Sequence, residues 1–140
     1  MRLWHQELIP YLPRQQLLGQ HRECCALRGN GWNKRHIVID YIFRYTHFHL
    51  FQYHKKVMAE MSRRNYKADI LWLNPKYRGK KCNPIIELCE YKIDTTIIYK
   101  EHNDKYLKEC IENLSAKFQK DTNKYNTQEL KNFNQFILKL

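Results

Sequence analysis

Apolar and polar residues recur at helical spacing over much of this 140-residue chain. The first such run lies between Pro13 and Gly29, residues that suit the start and the end of a helix. At 3.6 residues per turn, its apolar side chains can pack inward while a polar face runs along the same helix. The apolar positions are Leu17, Leu18, Cys24 and Cys25, and the polar face consists of Gln16, Gly19, Gln20 and Glu23.

Three later segments repeat this period. One follows a break near Thr46 and ends near Asn65, a residue type that tolerates a left-handed cap. Another is capped by Asn103 or Asp104. The last begins at Asn126 with Glu129 three residues on, which is typical of a capping box. Their apolar stripes are Leu50, His54, Val57, Met58 and Met61; Leu107, Cys110, Ile111, Leu114 and Phe118; and Leu130, Phe133, Ile137 and Leu140.

The segments between these helices are predicted to be connections. Pro10 and Pro13 indicate that residues 1–12 run extended. Residues 84–100 are ambiguous, because 85–88 could form a short helix while 95–99 favour a strand without a partner. The pattern predicts a mostly-α fold, a single compact helical domain with irregular connecting loops. Residues 1–120 would form this domain, and residues 121–140 an amphipathic helical extension packed on or beside it.

The net charge of the chain indicates what kind of partner the protein binds. The 25 Lys and Arg residues outnumber the 14 Asp and Glu, and the net charge of +11 favours a polyanionic partner. Aromatic residues, 14% of the chain, are interleaved with the cations, which suits stacking on bases. The alternative is a merely basic soluble protein. Since neither a membrane-spanning apolar run nor a signal-peptide core is present, we expect a cytoplasmic protein without membrane contact.

The cysteines and histidines do not form a recognisable ligand motif. The five cysteines are odd in number and lack Cys-x-x-Cys spacing, so in a reducing compartment they are most simply buried small hydrophobes. His47, His49 and His54 could chelate, but no second ligand cluster lies near them. We therefore expect no metal site and no cofactor. No Ser-His-Asp, Walker or zinc-hydrolase pattern is present either.

One acid interrupts the cationic first helix. Glu23 follows Arg22, and because an acid there would repel a polyanion, it is either a salt-bridge partner or a catalytic group. The run from Leu17 to Arg22-Glu23 resembles that of the pyrimidine-dimer DNA glycosylases of the phage endonuclease V type. These are small helical enzymes with combined glycosylase and abasic-site lyase activity. The resemblance covers residues 1–118, with only the Arg-Glu segment specific, and is closer to the bacterial branch of the family.

The resemblance implies a DNA repair glycosylase that removes a damaged pyrimidine, such as a pyrimidine dimer, and then cleaves the strand. An amine can attack the sugar C1′, expel the base and leave an imine, which acidifies the C2′ proton for β-elimination. An α-amine, with a reference pKa of about 7.8, is about a tenth neutral at pH 7, far more than a lysine. Glu23 beside it would stabilise the cationic sugar and move the proton.

The expected nucleophile differs in one respect from that of the phage enzymes, which expose a Thr amine after losing the initiator Met. Arg2 is a large residue that normally prevents this removal. The attacking amine would therefore be that of Met1, or that of Arg2 if Met1 is removed. Met1, Arg2 and Glu23 are accordingly the predicted catalytic residues. The family's second helical arginine corresponds to Ala26 here, and its His to Gln16.

The predicted partner is double-stranded damaged DNA, bound by a monomer. It would lie across the first helix, the basic turn 28–35 and the loop 76–81, because a basic loop with Gly and Tyr can approach phosphates closely. Two other functions stay open: a non-catalytic nucleic-acid-binding protein of the same fold, and a helical interaction module that uses the stripe from Leu130 to Leu140. The residues expected to contact DNA are Gln16, Gln20, Arg22, Arg28, Lys34, Arg35, Arg78, Lys80 and Lys81.

Overall fold

The computed structural model describes residues 1–90 and 97–140. In this part of the chain the regular structure is helical throughout, and no strand occurs, which confirms the mostly-α prediction. The α-helices are α1 (Arg14–Arg28), α2 (His47–Arg63), α3 (Asp104–Lys120) and α4 (Thr127–Leu138). Short 3-10 helices cover Gln6–Tyr11, Asp40–Arg44, Ile70–Leu73 and Thr122–Lys124.

The α-helices begin and end where the sequence predicts. The Thr46 side chain caps α2 by accepting from the His49 N–H, and Asn103, rather than Asp104, caps α3. Asn126 and Glu129 form the predicted capping box at α4. Beyond α2, Asn65 has a φ of 64°, the left-handed conformation expected at its end. These local signals locate all three helices because each cap satisfies backbone groups that the helix itself leaves unpaired.

The core lies where α1 crosses α2 beneath the N-terminal segment. At the other side, α4 contacts the first 3-10 helix, and the rings of Tyr11 and Phe136 stack with centroids 4.4 Å apart. Phe133 of α4 also packs on Phe118 of α3 at 4.9 Å. Buried members of this core include Leu3, Leu8, Leu17, Leu50, Tyr53, Val57, Leu107 and Leu114. The C-terminal helix thus packs directly on the segment that leads into α1.

The N-terminal segment differs from its predicted extended path. Residues Gln6–Tyr11 form a 3-10 helix that contains Pro10, and the His5 ring caps it by accepting from the Glu7 N–H at 3.1 Å. The difference follows from burial: Leu8 and Ile9 are adjacent in sequence and both lie in the core, whereas an extended segment on the surface would turn alternate side chains to solvent. The segment consequently turns back, and the first residues lie across α1.

The connections between α2 and α3 contain little regular structure. Residues 85–88 do not form the short helix that the sequence allowed, since residues 83–85 and 87–90 have no regular structure and 86 is a bend. Of the possible strand at 95–99, residues 95 and 96 lie outside the described residues, and 97–99 form none. Across residues 1–90 and 97–140, no helix combines the length and the apolar character needed to cross a bilayer.

Candidate active site

A cavity of about 650 Å³ lies where the first residues cross α1. Its walls come from the N-terminus, the polar face of α1, the loop at 36–38 and one side of α3. The predicted catalytic residues Met1, Arg2 and Glu23 all line this cavity. Glu23 is more than twenty residues from the chain start, so this proximity comes from the tertiary fold. The full lining is Met1, Arg2, Trp4, Arg14, Gln15, Gln16, Leu18, Gly19, Gln20, Arg22, Glu23, His36, Val38, Asn113 and Lys117.

Gln20 joins the N-terminal segment to the acid. Its Oε1 accepts from the Trp4 N–H at 2.7 Å and lies 2.9 Å from the Tyr53 hydroxyl oxygen. Its Nε2 donates to the Arg2 carbonyl and to Glu23 Oε2, both at 3.0 Å. Both polar atoms of this 1%-exposed amide thus have partners inside the protein. This geometry favours a positioning role for Gln20, and its contact with DNA stays a prediction.

Two tyrosine hydroxyls hold the same stretch of main chain. The Tyr53 hydroxyl donates its one proton to the nearer of its two acceptors, the Trp4 carbonyl at 2.6 Å, and Tyr106 of α3 donates to the Leu3 carbonyl. The Arg2 guanidinium lies over the Trp4 ring at 5.7 Å from its centroid. Met1, in contrast, is 54% exposed. The chain start is thus anchored by its backbone at residues 2–4 and open to solvent at residue 1.

The environment of Glu23 sets its protonation. Burial raises the pKa of this half-buried carboxyl above its usual value. The N-terminal ammonium, Arg22, the hydrogen bond from Gln20 and Lys117 each pull the pKa down without cancelling the burial. Glu23 is therefore an acid that responds electrostatically to the chain's own amine, which suits a group that exchanges a proton during a reaction.

The cavity also contains residues that the sequence interpretation missed. Asn113 and Lys117 lie one turn apart on α3, and Arg14 lies at the start of α1. Asn113 and Lys117 sit on the polar side of an ordinary amphipathic helix some ninety positions after Glu23, so no sequence pattern connects them to it. Gln16 lines the cavity as well, and its Nε2 donates to the Tyr125 hydroxyl at 3.0 Å.

Arg28 is a structural residue rather than an exposed cation. It is 2% exposed and donates to the carbonyls of Trp72, Asn74 and Tyr77 at 2.8, 2.9 and 3.2 Å. Burial lowers the pKa of its guanidinium to about 10, so the group stays charged at neutral pH. Because these donors face backbone carbonyls of the protein, the geometry favours a structural role for Arg28, and its contact with DNA stays a prediction.

Of the remaining predicted cations, Arg22 lies in the middle of α1, and the others belong to the turn after α1 and to the loop 76–81. Arg78 is half-buried and donates to the carbonyls of Arg28 and Gly29, both at 2.9 Å, which brings the loop 76–81 against the turn 28–35. Arg78 is therefore partly engaged in this packing. The exposed members are Arg22, Lys34, Arg35, Lys80 and Lys81.

A thiol and two imidazoles meet on the side of α1 that faces α2. The nearest ligand atoms of His21, Cys25 and His54 lie within 4.8 Å of one another. Arg28 can only donate to His54 Nδ1, at 3.0 Å, so the Nε2 of His54 carries the proton and donates to His21 Nδ1 at 2.8 Å. A metal would need that Nε2 lone pair beside a fixed guanidinium charge. The cluster fits a hydrogen-bonded core contact better than a metal centre.

The match to known proteins falls on the part of the chain that builds most of this cavity. A family model described as pyrimidine dimer DNA glycosylase matches residues 1–74. The matched region contains α1, α2 and the N-terminal segment, whereas Asn113 and Lys117 follow it. The search of curated proteins and the search of solved structures each found no match.

Proposed function

Because the chain belongs to the pyrimidine dimer DNA glycosylase family, we propose that it releases a damaged pyrimidine from double-stranded DNA and then cleaves the strand. The observation that carries this proposal is the pair of hydrogen bonds by which Gln20 links the N-terminal segment to Glu23. One buried amide binds both the Arg2 carbonyl and the Glu23 carboxylate, so the start of the chain and the acid share one cavity wall. This is the arrangement that imine chemistry at a chain terminus requires.

In the proposed reaction the neutral N-terminal amine attacks C1′ of the damaged nucleotide. The bond from C1′ to the base breaks, the base leaves with the electron pair and gains a proton, and the opened sugar stays on the protein as an imine. Glu23 stabilises the positive charge on the sugar and then takes the C2′ proton. Loss of that proton expels the 3′-phosphate, which nicks the strand.

The DNA backbone would run over exposed cations of α1, of the turn after α1 and of the loop 76–81. Arg22, Lys34 and Arg35 lie beside the cavity mouth or in the turn after α1, and Lys80 and Lys81 extend this basic surface. Such contacts fix the register of a protein on a duplex without reading its sequence. Lys117 inside the cavity adds a cation next to Glu23, where a phosphate beside the lesion would arrive.

Trapping with borohydride tests the proposed nucleophile. Borohydride reduces an imine to a stable amine, so the native protein incubated with abasic duplex DNA should give a covalent adduct. Peptide mapping should place this adduct on residue 1 or 2. The same protein with its terminus acetylated should still bind the duplex yet give no adduct, because its amine is no longer nucleophilic.

Two outcomes would argue against this assignment. An adduct on Lys34 or Lys117, or undiminished trapping by the acetylated protein, would make the enzyme a lysine-based lyase. Binding without any adduct or base release would favour the non-catalytic nucleic-acid-binding alternative.

The salt dependence of binding tests the proposed DNA surface. Replacing Lys80 and Lys81 together with Ala should reduce the slope of log affinity against log salt by about 0.9 for each phosphate that is no longer neutralised. Arg78 stays in place in this variant because it also donates to the carbonyls of Arg28 and Gly29. Fluorescence anisotropy on a labelled duplex at several salt concentrations gives the slope.

A matched control comes from α4, which packs near the opposite end of α1, where Glu129 accepts from the Arg14 N–H. Replacing the exposed Lys131 and Lys139 with Ala removes the same charge and should leave the slope unchanged. Equal slopes for both double variants and the parent protein would place the DNA on another surface.

A further inference from the structure

One face of α3 runs alongside the first residues of the chain. Its Tyr106 hydroxyl donates to the Leu3 carbonyl, and one turn later the Sγ of Cys110 lies 4.0 Å from Arg2 Nη1. Successive turns of α3 therefore contact successive residues of the segment, moving toward the chain start. Because helix positions three or four apart share a face, Asn113 is the next residue along this face after Cys110.

Further along, the same face of α3 reaches the acid of the site. Lys117, one turn after Asn113, interacts electrostatically with the Glu23 carboxyl, and so does the N-terminal ammonium. These three side chains line the cavity together with Met1. Asn113 therefore lies between the turn of α3 that contacts Arg2 and the turn beside Glu23, on the wall of the cavity that receives the chain start.

The side-chain amide of Asn113 is not used by the protein's own hydrogen bonds. Gln16 and Gln20 of α1, two other amides of the cavity, both donate to partners within the protein. The Asn113 side chain is half-buried, yet within residues 1–90 and 97–140 it makes no hydrogen bond. An attacking primary amine keeps two N–H groups beside its lone pair, and an amide oxygen can accept from one of them without adding a negative charge that would favour the ammonium.

Resting on the proposed function, we infer that Asn113 Oδ1 accepts a hydrogen bond from the N-terminal amine and aims the lone pair of the amine at C1′. Backbone hydrogen bonds hold residues 2–4, whereas Met1 is 54% exposed, so residue 1 is where the nucleophile still needs a fixed direction. Holding a reacting atom in the productive direction makes a large contribution to rate. With Asn113 in this role, Glu23 stays available for the charge on the sugar and for the C2′ proton.

The first test measures the amine in the free protein, without DNA. Trace acetic anhydride is added over a pH series, and mass spectrometry of the N-terminal peptide gives the pH midpoint at which the amine becomes reactive. Asn113→Asp should raise this midpoint by about one pH unit, because a carboxylate against the amine stabilises the ammonium. Gln119→Glu, an exposed amide-to-acid change on the same helix outside the cavity lining, should leave it unchanged. Both variants keep the charged and titratable side chains of the cavity, which are Arg2, Arg14, Arg22, Glu23, His36 and Lys117.

The second test measures imine formation by borohydride trapping on an abasic duplex, with the duplex fully bound. Asn113→Leu keeps the size of the side chain but loses the oxygen, so the adduct should form about tenfold more slowly while the affinity for the duplex stays the same. Asn113→Asp keeps an acceptor, so it should be slow at neutral pH and recover toward the parent rate as the pH rises and the amine loses its proton. A merely structural role would lower the rate of Asn113→Asp equally at every pH.

The outcomes separate the contact at the amine from the reaction. An acetylation midpoint that is equal in Asn113→Asp and the parent protein would overturn the inference, whether or not the protein cleaves DNA. Trapping of Asn113→Leu at the rate of an active parent would also overturn it and leave the glycosylase proposal intact. A midpoint raised only in Asn113→Asp, in a protein whose parent never gives an adduct, would support the contact and refute the imine reaction.

Discussion

Glu23→Gln should lose strand cleavage by about a hundredfold to ten-thousandfold, the usual contribution of a positioned acid or base. Binding to damaged duplex should persist or tighten, because the change removes one negative charge from a cationic cavity. The fold should also persist, since a Gln at this position can still accept from Gln20 Nε2. Single-turnover cleavage under conditions of full binding measures the chemical step separately from affinity.

The pH profile gives a second measure of the same residue. Because burial raises the pKa of Glu23, cleavage by the parent protein should fall as pH drops through that raised value and the carboxylate is protonated. The rate also falls with decreasing pH because the attacking amine must be neutral, and Glu23→Gln should keep that fall while lacking the additional loss caused by protonation of the carboxylate. Glu112→Gln on the exposed side of α3 makes the same charge change outside the cavity lining and should cleave like the parent. Cleavage by Glu23→Gln at the parent rate would reduce Glu23 to a salt-bridge residue.

Arg28→Met should destabilise the protein by about 3 kcal/mol, because it removes a buried guanidinium and leaves three partly buried carbonyls without its donors. In the parent protein the Arg28 guanidinium donates to the carbonyls of Trp72 and Asn74 and to His54 Nδ1. Arg28→Lys should recover only part of the loss, since a single ammonium cannot reproduce this fork of donors. Urea denaturation followed by circular dichroism gives the change in the free energy of unfolding.

Arg22→Met is the matched control, since Arg22 is an exposed arginine on the same helix. Its effect on stability should be within about 0.5 kcal/mol, while its affinity for DNA should fall. The two arginines therefore predict opposite patterns. Unchanged stability together with weakened DNA binding in Arg28→Met would restore the role that the sequence suggested for it.

The contrast between these two arginines shows which features of the fold and the site can be predicted from sequence. Caps and apolar periods are local, so Thr46, Asn103 and the Asn126–Glu129 box located three helices correctly. Glu23 could be singled out because its charge contradicts its surroundings. A polar side chain on a helix does not reveal whether it faces water or another segment. That depends on partners such as Tyr53 for Gln20 and the 72–77 loop for Arg28, which only the tertiary fold provides.

The hydrogen bonds of Gln20 fix the distance along the chain between α1 and the N-terminal amine. They hold the carbonyl of residue 2 and the N–H of residue 4, both backbone groups, and are therefore indifferent to the side chains at those positions. Substitutions at residues 1 and 2 would leave both hydrogen bonds in place. Inserting or deleting a single residue before Trp4 would instead shift the preceding backbone by up to about 3.8 Å, more than a reacting pair of atoms can tolerate. At this site the count of residues matters more than their identity.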